Sequence, residues 1–219
     1  LHTFEALQKE GFEVTFVPCD KYGLIDPDDV RRAIRKDTIL VSIMHGQNEV
    51  GTVEPIKQIG EIAREHGVLF HTDAVQSAGK IPIDVKDMNV DLLTLSSHKI
   101  YGPKGVGALY VRRGVRLTPQ VTGGAHERMR RAGTENVPGI IGFGEASRLA
   151  KAELPEEAER LSKLRDKLIE GLLREIPDVA LNGHPVLRLP HNVNVSVKYL
   201  EGESILLNLD RMGVAASSG

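Results

Sequence analysis

Apolar residues in the first half of the chain follow two spacings, which predict alternating helices and strands. Residues 55–67 carry apolar side chains at helical spacing and end at Gly67, a common residue at a helix C-terminus. Asp26 and Pro27 are typical of a helix N-cap and first turn. Helices are therefore predicted over 2–10, 26–35 and 55–67. Alternating or continuously apolar patterns predict strands over 12–18, 38–44, 68–74, 91–97 and 105–113. This order predicts an α/β domain with a mostly parallel sheet flanked by helices.

The pattern changes in the last third of the chain. A long, charged and amphipathic segment contains Pro155, which predicts a kink or a break in a helix. Residues 191–197 alternate as an antiparallel strand does, and residues 201–213 have a helical pattern. We therefore expect a large domain over 1–150 and part of a smaller α+β domain over 151–219.

Composition and charge are those of an ordinary globular protein. Apolar residues make up 41% and charged residues 26% of the chain, and the formal net charge is −2. This balance offers no electrostatic basis for binding nucleic acid. No apolar run reaches the length of a membrane span, and the first residues lack the pattern of a signal peptide. We therefore expect neither nucleic acid nor a membrane as a partner.

Cys19 is the only cysteine, so the chain cannot form an internal disulfide. A single free cysteine fits a reducing compartment, and we expect the protein to be cytoplasmic. From its position after a predicted strand, we interpret Cys19 as a small buried hydrophobic residue. The chain lacks an initiator methionine and begins inside a predicted helix, so we expect it to be a piece of a longer protein.

Polar side chains that can take part in chemistry follow three of the predicted strands. Because ligands bind at the carboxyl ends of parallel strands, we expect these side chains to share one crevice. They are His45, Gln47, Asn48 and Glu49; His71, Thr72, Asp73 and Gln76; and Ser96, Ser97, His98 and Lys99. The sequence thus predicts a site that combines carboxylate, imidazole, hydroxyl, amide and amine groups.

Lys99 is the candidate nucleophile of this site. A lysine in a partly dry pocket can lose its proton and react with an aldehyde, and pyridoxal 5'-phosphate is the biological aldehyde that uses such a lysine. Lys104, beyond the following Gly-Pro turn, competes for this role. We favour Lys99 because it directly follows the strand, and we interpret Lys104 as a surface or phosphate-proximal charge.

The other strand-end residues fit the remaining demands of this cofactor. Asp73 can face the pyridine nitrogen and keep it protonated. Asn48 and Gln76 can reach the phenolic oxygen, while Ser96 and His98 can bind the phosphate. Each of these residues also has an ordinary structural interpretation when it is considered alone, such as a helix N-cap or a turn residue.

Other chemistries are less well supported by the residue spacing. His45, His71 and His98 lack the short spacing that is typical of metal-binding motifs, so we expect no metal site. The chain contains no G-x-S-x-G elbow of a serine hydrolase. Its "GPKGVG" stretch lacks the signature of a nucleotide phosphate loop.

The chain resembles the cysteine desulfurases of the class V aminotransferase group, which are pyridoxal-phosphate enzymes of fold type I. The resemblance covers essentially the whole chain. It is carried by "MHGQNEVGTVEPI", "HTDAVQSAGKIPIDV", "LSSHKIYGPKGVGALYVRR" and "GGAHERMRRAGTENVPGIIGFGEA". It implies the cofactor roles given above for the strand-end residues, with Lys99 as the lysine that forms the Schiff base.

The resemblance also implies features that the residues alone do not indicate. Thr134 is similar to a threonine that reaches the phosphate of a neighbouring subunit, which implies a homodimer with shared active sites; alone, it would be a turn hydroxyl. Gln47 stands where the family often has asparagine. The cofactor-stacking residue and the catalytic cysteine of the family correspond to positions before Leu1 and after Gly219, so we expect the 219 residues to lack both.

The resemblance implies conversion of L-cysteine to L-alanine, with transfer of sulfur as an enzyme persulfide for iron–sulfur cluster or other sulfur-compound biosynthesis. Lys99 would act as a base after substrate binds, and His98 is a further candidate for proton transfer. A sulfur-acceptor or iron–sulfur scaffold protein is the implied partner. The alternatives are a selenocysteine lyase, a small-amino-acid aminotransferase of the same fold, and a truncated chain that binds the cofactor without turnover.

Overall fold

Four strands form the larger sheet of the protein, and three of them run parallel. The computed structural model describes residues 1–218. The strands are β1 (Leu40–Met44), β2 (Leu69–Asp73), β3 (Leu92–Ser96) and β4 (Gly107–Val111). They are hydrogen-bonded in the order β1-β2-β3-β4, and only β4 is antiparallel to its neighbour. The predicted mostly parallel sheet is confirmed.

The described residues contain five α-helices, which lie before, between and after the strands along the chain. They are α1 (His2–Lys9), α2 (Pro27–Ala33), α3 (Ile56–Glu65), α4 (Val137–Glu175) and α5 (Gly202–Arg211). Short 3₁₀ helices lie at Ser97–Ile100 and Glu127–Met129. The predicted N-cap of α2 is confirmed, because the Asp26 carboxylate accepts a 2.9 Å hydrogen bond from the backbone N–H of Asp28.

The main core lies between α3 and one face of the sheet. Ile56 and Ile59 of α3 are fully buried against Phe70 of β2 and Leu93 of β3. The apolar spacing seen in the sequence over α3 and the strands therefore marks the residues that are buried here, since burial of apolar surface is the main stabilising contribution. The other face of β2 and β3 carries polar residues, which form part of the candidate site.

A second, antiparallel sheet pairs β5 (Val179–Leu181) with β6 (Val195–Val197). The predicted antiparallel strand and the final helix are therefore confirmed. The predicted break at Pro155 is wrong, because α4 continues through this residue. The predicted boundary between a domain over 1–150 and a domain over 151–219 falls inside α4, and it stays a prediction. Gly219, the last residue of the second predicted domain, lies outside the described residues.

The predicted strand over 12–18 is wrong. The segment joins no ladder, and the nearest β contact is an isolated bridge from Cys19 to Ile25. Phe12 and Phe16 remain about half exposed, while Val17 packs against the core. Alternation alone does not make a strand here, because most of residues 12–18 are exposed and a strand also needs a paired neighbour. Cys19 is exposed, so its interpretation as a buried residue is also wrong.

In residues 1–218, no helix has both the length and the apolar character needed to cross a membrane.

Candidate active site

The ends of β1, β2 and β3 lie side by side. Met44 pairs with Asp73, and Asp73 pairs with Thr94. The backbone remains connected just beyond the strands, since the N–H of His45 donates to the Asp73 carbonyl at 2.8 Å. Neighbouring strands are about 4.8 Å apart, so the three polar loops begin within a few ångströms of one another.

Lys99 lies on a short turn that two buried residues anchor. Ser97 and Ile100, on either side of His98 and Lys99, are buried, whereas His98 and Lys99 are exposed. The N–H of Ser97 donates to the carbonyl of Val106 at 3.0 Å. Ile100 packs with residues of α4. Buried anchors on both sides therefore hold the exposed lysine in place at the carboxyl end of β3.

Gly102 closes this turn at a position where an added side chain would clash with its neighbours. Its N–H donates to the Ser97 carbonyl at 3.0 Å. A Cβ atom at this position would overlap the Ser97 hydroxyl and lie 3.1 Å from both the Ser97 carbonyl oxygen and the Ala146 Cβ. The glycine thus lets the chain turn back tightly over Ser97, which fixes where Lys99 begins.

The Asp73 carboxylate is oriented by its own turn. Its Oδ1 atom accepts a 2.9 Å hydrogen bond from the N–H of Val75, the usual geometry of an Asx turn. The half-buried Gln76 follows one residue later. Because Asp73 is partly accessible and one oxygen is held by the backbone, the other oxygen can meet a positively charged group from outside.

A hydrogen-bonded chain of three side chains lies on the same face of the sheet as Asp73. His71 bonds through Nδ1 to Ser42 Oγ and through Nε2 to Thr94 Oγ1, both at 2.8 Å. Burial lowers the pKa of His71, and the negative charge of Asp73 opposes this effect. The sequence indicated His71 but not its two hydroxyl partners, which become neighbours only through the strand register.

Asn48 lies at the exposed tip of a tight turn after β1. The Gln47 side-chain oxygen accepts from the N–H of Glu49 at 2.5 Å and from that of Val50 at 2.7 Å. Gln47 therefore folds back onto the turn, while Asn48 points away from the buried core. We refer to residues 47–51 as the Asn48 turn.

Ser96 and His98 form a pair at the start of the Lys99 turn. The Ser96 hydroxyl and His98 Nδ1 are 2.9 Å apart, so each orients the other. Thr134 lies on a separate exposed loop, which is closed by a 2.9 Å hydrogen bond between His126 Nδ1 and Glu135 Oε1. Its relation to a second subunit stays a prediction.

His45 belongs to this region but differs from the other candidates. It is 7% exposed, and burial lowers its pKa to about 4. Its Nδ1 atom has no hydrogen-bond partner among residues 1–218. His45 is therefore a buried, neutral imidazole that packs beneath the Asn48 turn region, and it offers no positive charge to a ligand.

Sequence reasoning missed two residues near Lys99. Lys80 is 8% exposed, and its Nζ lies 4.8 Å from the centre of the Tyr101 ring, a cation–π contact. His191 is exposed, yet surrounding protein and then the charges of Lys80 and Lys99 lower its pKa. His191 comes from the C-terminal part of the chain, so no local signal could have indicated its proximity.

Comparison with known proteins identifies the family. A family model described as "Aminotransferase class-V" matches residues 2–219. A cysteine desulfurase IscS from Methanosarcina thermophila is 60% identical over all of this chain, which corresponds to 54% of that protein. The IscS of Dictyoglomus turgidum is 55% identical over 97% of the chain, which again corresponds to 54% of that protein. The chain therefore spans about half the length of these curated relatives.

Solved structures lead to the same conclusion. A "NifS-like protein" superposes with a TM-score of 0.94 at 38% identity, over all of this chain and 60% of that one. "SspA in complex with cysteine" superposes with a TM-score of 0.83 at 38% identity, over the same shares of the two chains. The agreement of sequence motifs, sheet topology and these likenesses shows that the chain belongs to the class-V aminotransferase family.

Proposed function

We propose that this chain forms the cofactor-binding part of a pyridoxal-phosphate-dependent cysteine desulfurase, which converts L-cysteine to L-alanine and transfers the sulfur as an enzyme persulfide. The observation that carries the proposal is the Lys99 turn, in which buried Ser97 and Ile100 present an exposed lysine beside the strand that ends in Asp73. The names and high identity of the relatives support the same reaction.

The donor set suits the proposed cofactor. Pyridoxal 5'-phosphate has an aldehyde, a basic ring nitrogen, a phenolic oxygen and a dianionic phosphate. Lys99 would hold the aldehyde carbon, and Asp73 would pair with the ring nitrogen. The remaining groups would be met by side chains that bear amide, hydroxyl or imidazole donors. These are Asn48 and Gln76 for the phenolic oxygen, and Ser96 and His98 for the phosphate.

When bound, the cofactor supplies an electron sink for charge that develops on the substrate. The chain contributes orientation and proton transfer. Asp73 keeps a negative charge opposite the ring nitrogen, with Oδ1 fixed by the N–H of Val75. Lys99 Nζ would accept a proton from the substrate amino acid and return it to the product. His98, oriented by Ser96, would be a second group for proton transfer.

The sulfur step requires a thiolate nucleophile. Cys19 lies on a separate loop, where its only β contact is the bridge to Ile25, and so we assign it no part in the reaction. We further propose a cytoplasmic homodimer in which Thr134 meets the cofactor phosphate of the other subunit. A sulfur-acceptor or iron–sulfur scaffold protein would receive the persulfide sulfur.

Absorption spectra of the chain with added pyridoxal phosphate test the cofactor assignment. We expect a visible band that borohydride traps as a reduced adduct on Lys99, located by peptide mass spectrometry. Lys99→Ala should abolish the band. Lys104→Ala is the matched control, since it removes an exposed lysine five residues away, and it should retain the band. An adduct on Lys104, or a band that survives Lys99→Ala, would contradict the assignment.

The proposed reaction is tested in the full-length protein with bound cofactor that has not been treated with borohydride. Release of alanine from L-cysteine, together with a persulfide detected by alkylation and mass spectrometry, is the expected result. Transamination of L-cysteine without persulfide would contradict the desulfurase proposal while leaving the cofactor assignment intact.

A further inference from the structure

The C-terminal segment 182–194 packs directly against the Asn48 turn. The N–H of Val53 donates to the carbonyl of Leu187 at 2.9 Å, and the N–H of Leu189 donates to that of Gly51 at 2.8 Å. Leu189 is 1% exposed. Two parts of the chain that are more than 130 residues apart therefore form one continuous structure around the turn.

Asn192 makes the central side-chain contact with this turn. Its Nδ2 donates to the carbonyl of Glu49 at 2.7 Å, and Asn194 Nδ2 donates to the same carbonyl at 3.2 Å. Gly51 has a positive φ of +78°, and a Cβ there would overlap the Asn192 side chain. The amide of Asn192 is thus fitted against the turn both by hydrogen bonding and by close contact.

Arg188 determines which way the Asn192 amide faces. Its Nη1 donates to Asn192 Oδ1 at 3.0 Å, which leaves Nδ2 to face the Glu49 carbonyl. Arg188 is 5% exposed and has no carboxylate partner among the described residues. Its other donors meet the carbonyl oxygens of Asn182 and His184. A buried cation that bonds only to neutral oxygens makes the Asn192 orientation unambiguous.

We propose that Asn192 is a positioning residue that fixes the Asn48 turn, and with it the direction in which Asn48 faces the cofactor pocket. Asn192 acts through Glu49, the residue next to Asn48. The part of this inference that concerns the cofactor rests on the proposed function, whereas the ordering of the turn does not.

Two substitutions at one position separate positioning from general stability. Asn192→Ala removes the hydrogen bonds of the side chain to both Arg188 and Glu49. Asn192→Asp keeps the acceptor for Arg188, and gains an ion pair with it, but loses the donor to Glu49 and places a carboxylate against that carbonyl. The aspartate variant should therefore melt no lower than the parent while the turn loosens. Asn208→Ala is the control, since Asn208 donates to Ser204 on the exposed α5.

Hydrogen–deuterium exchange of the chain without cofactor is the first measurement. The amides of Glu49 and Val50 bond to the Gln47 side chain, and that of Gly51 bonds to the Gln47 carbonyl. We expect exchange at these amides to become up to roughly 10-fold faster in both Asn192 variants, the upper end of the factor for the net loss of one hydrogen bond, and to be unchanged in Asn208→Ala. Exchange within about twofold of the parent in Asn192→Asp overturns the inference.

A spectroscopic measurement then tests the consequence for the cofactor. The visible band of the bound cofactor should change its pH midpoint in Asn192→Asp in the same direction as in Asn48→Ala, because the phenolic oxygen loses a donor. If amide exchange in the Asn48 turn becomes faster but the pH midpoint of the visible band stays unchanged, the cofactor part of the inference is overturned. A full-length parent protein without any band would instead contradict the proposed function, and amide exchange alone would still decide the role of Asn192.

Discussion

Substitution of Gly102 by alanine should displace the Lys99 turn. The added Cβ would overlap the Ser97 hydroxyl, which can move only by rotating within a fully buried position. Two contacts would remain after that rotation, at 3.1 Å to the Ser97 carbonyl oxygen and 3.1 Å to the Ala146 Cβ. Both are shorter than ordinary van der Waals contacts, so the backbone of the turn or α4 must shift.

The structure places this change among overpacking substitutions, which cost about 1–3 kcal/mol. For a chain of this length, a loss of about 2 kcal/mol lowers the melting temperature by roughly 4–8 °C. Thermal and urea unfolding measure the loss, and borohydride trapping of the cofactor reports the position of Lys99. We expect lower stability and reduced trapping together.

Two further variants test whether the loss of stability comes from the close approach of Gly102 to Ser97. Gly144→Ala in α4 brings the added Cβ within 4 Å of no non-neighbouring atom of residues 1–218, so it should stabilise the helix by about 0.5–1 kcal/mol. Ser97→Ala removes the hydroxyl from the overlap and should restore part of the stability of Gly102→Ala. If Gly102→Ala unfolds like the parent and traps the cofactor normally, the tight approach over Ser97 does not exist.

Two other predictions concern buried carboxylates. Burial raises the pKa of Glu54 from 4.5 to about 7, so the folded state binds a proton more tightly than the unfolded state, and stability falls as pH rises from about 4.5 through 7. Glu54→Gln, which keeps an acceptor for the Ile25 N–H, should be more stable than the parent by roughly 2–3 kcal/mol at pH 8 and equal to it at pH 4; equal stabilities at pH 8 would contradict this. Asp91 accepts from the buried N–H of Phe70 at 2.8 Å and pairs with Arg112. Asp91→Ala should cost about 2–3 kcal/mol in urea unfolding and Asp91→Asn much less, whereas equal losses would show that the charge rather than the acceptor matters.

The larger sheet and its helices could be predicted because their signals are local. The Asp26 N-cap acts on the next turn of α2, and apolar spacing in 55–67 selects one face of α3. The Lys99 turn could also be found, since an unusual run of polar residues directly follows an apolar strand. These features depend on residues within about one or two turns of each other.

The errors arose where structure depends on a distant neighbour. Residues 12–18 have a strand pattern, but a pattern cannot supply the paired edge that a strand needs. Pro155 was expected to kink or break a helix. The helix continues through it, because losing one backbone donor does not outweigh the rest of a 39-residue helix, and the kink stays a prediction.

By itself, the sequence determined the family, the strands of the larger sheet with the helices between them, and the candidate Schiff-base lysine, because short-range patterns and specific motifs carry that information. Only the tertiary structure decided how the candidate residues are held. The Ser42–His71–Thr94 chain depends on strand register, and the contact of Asn192 with Glu49 joins residues 143 positions apart. Such pairs form only when the chain has folded, since no interaction between them exists along the sequence.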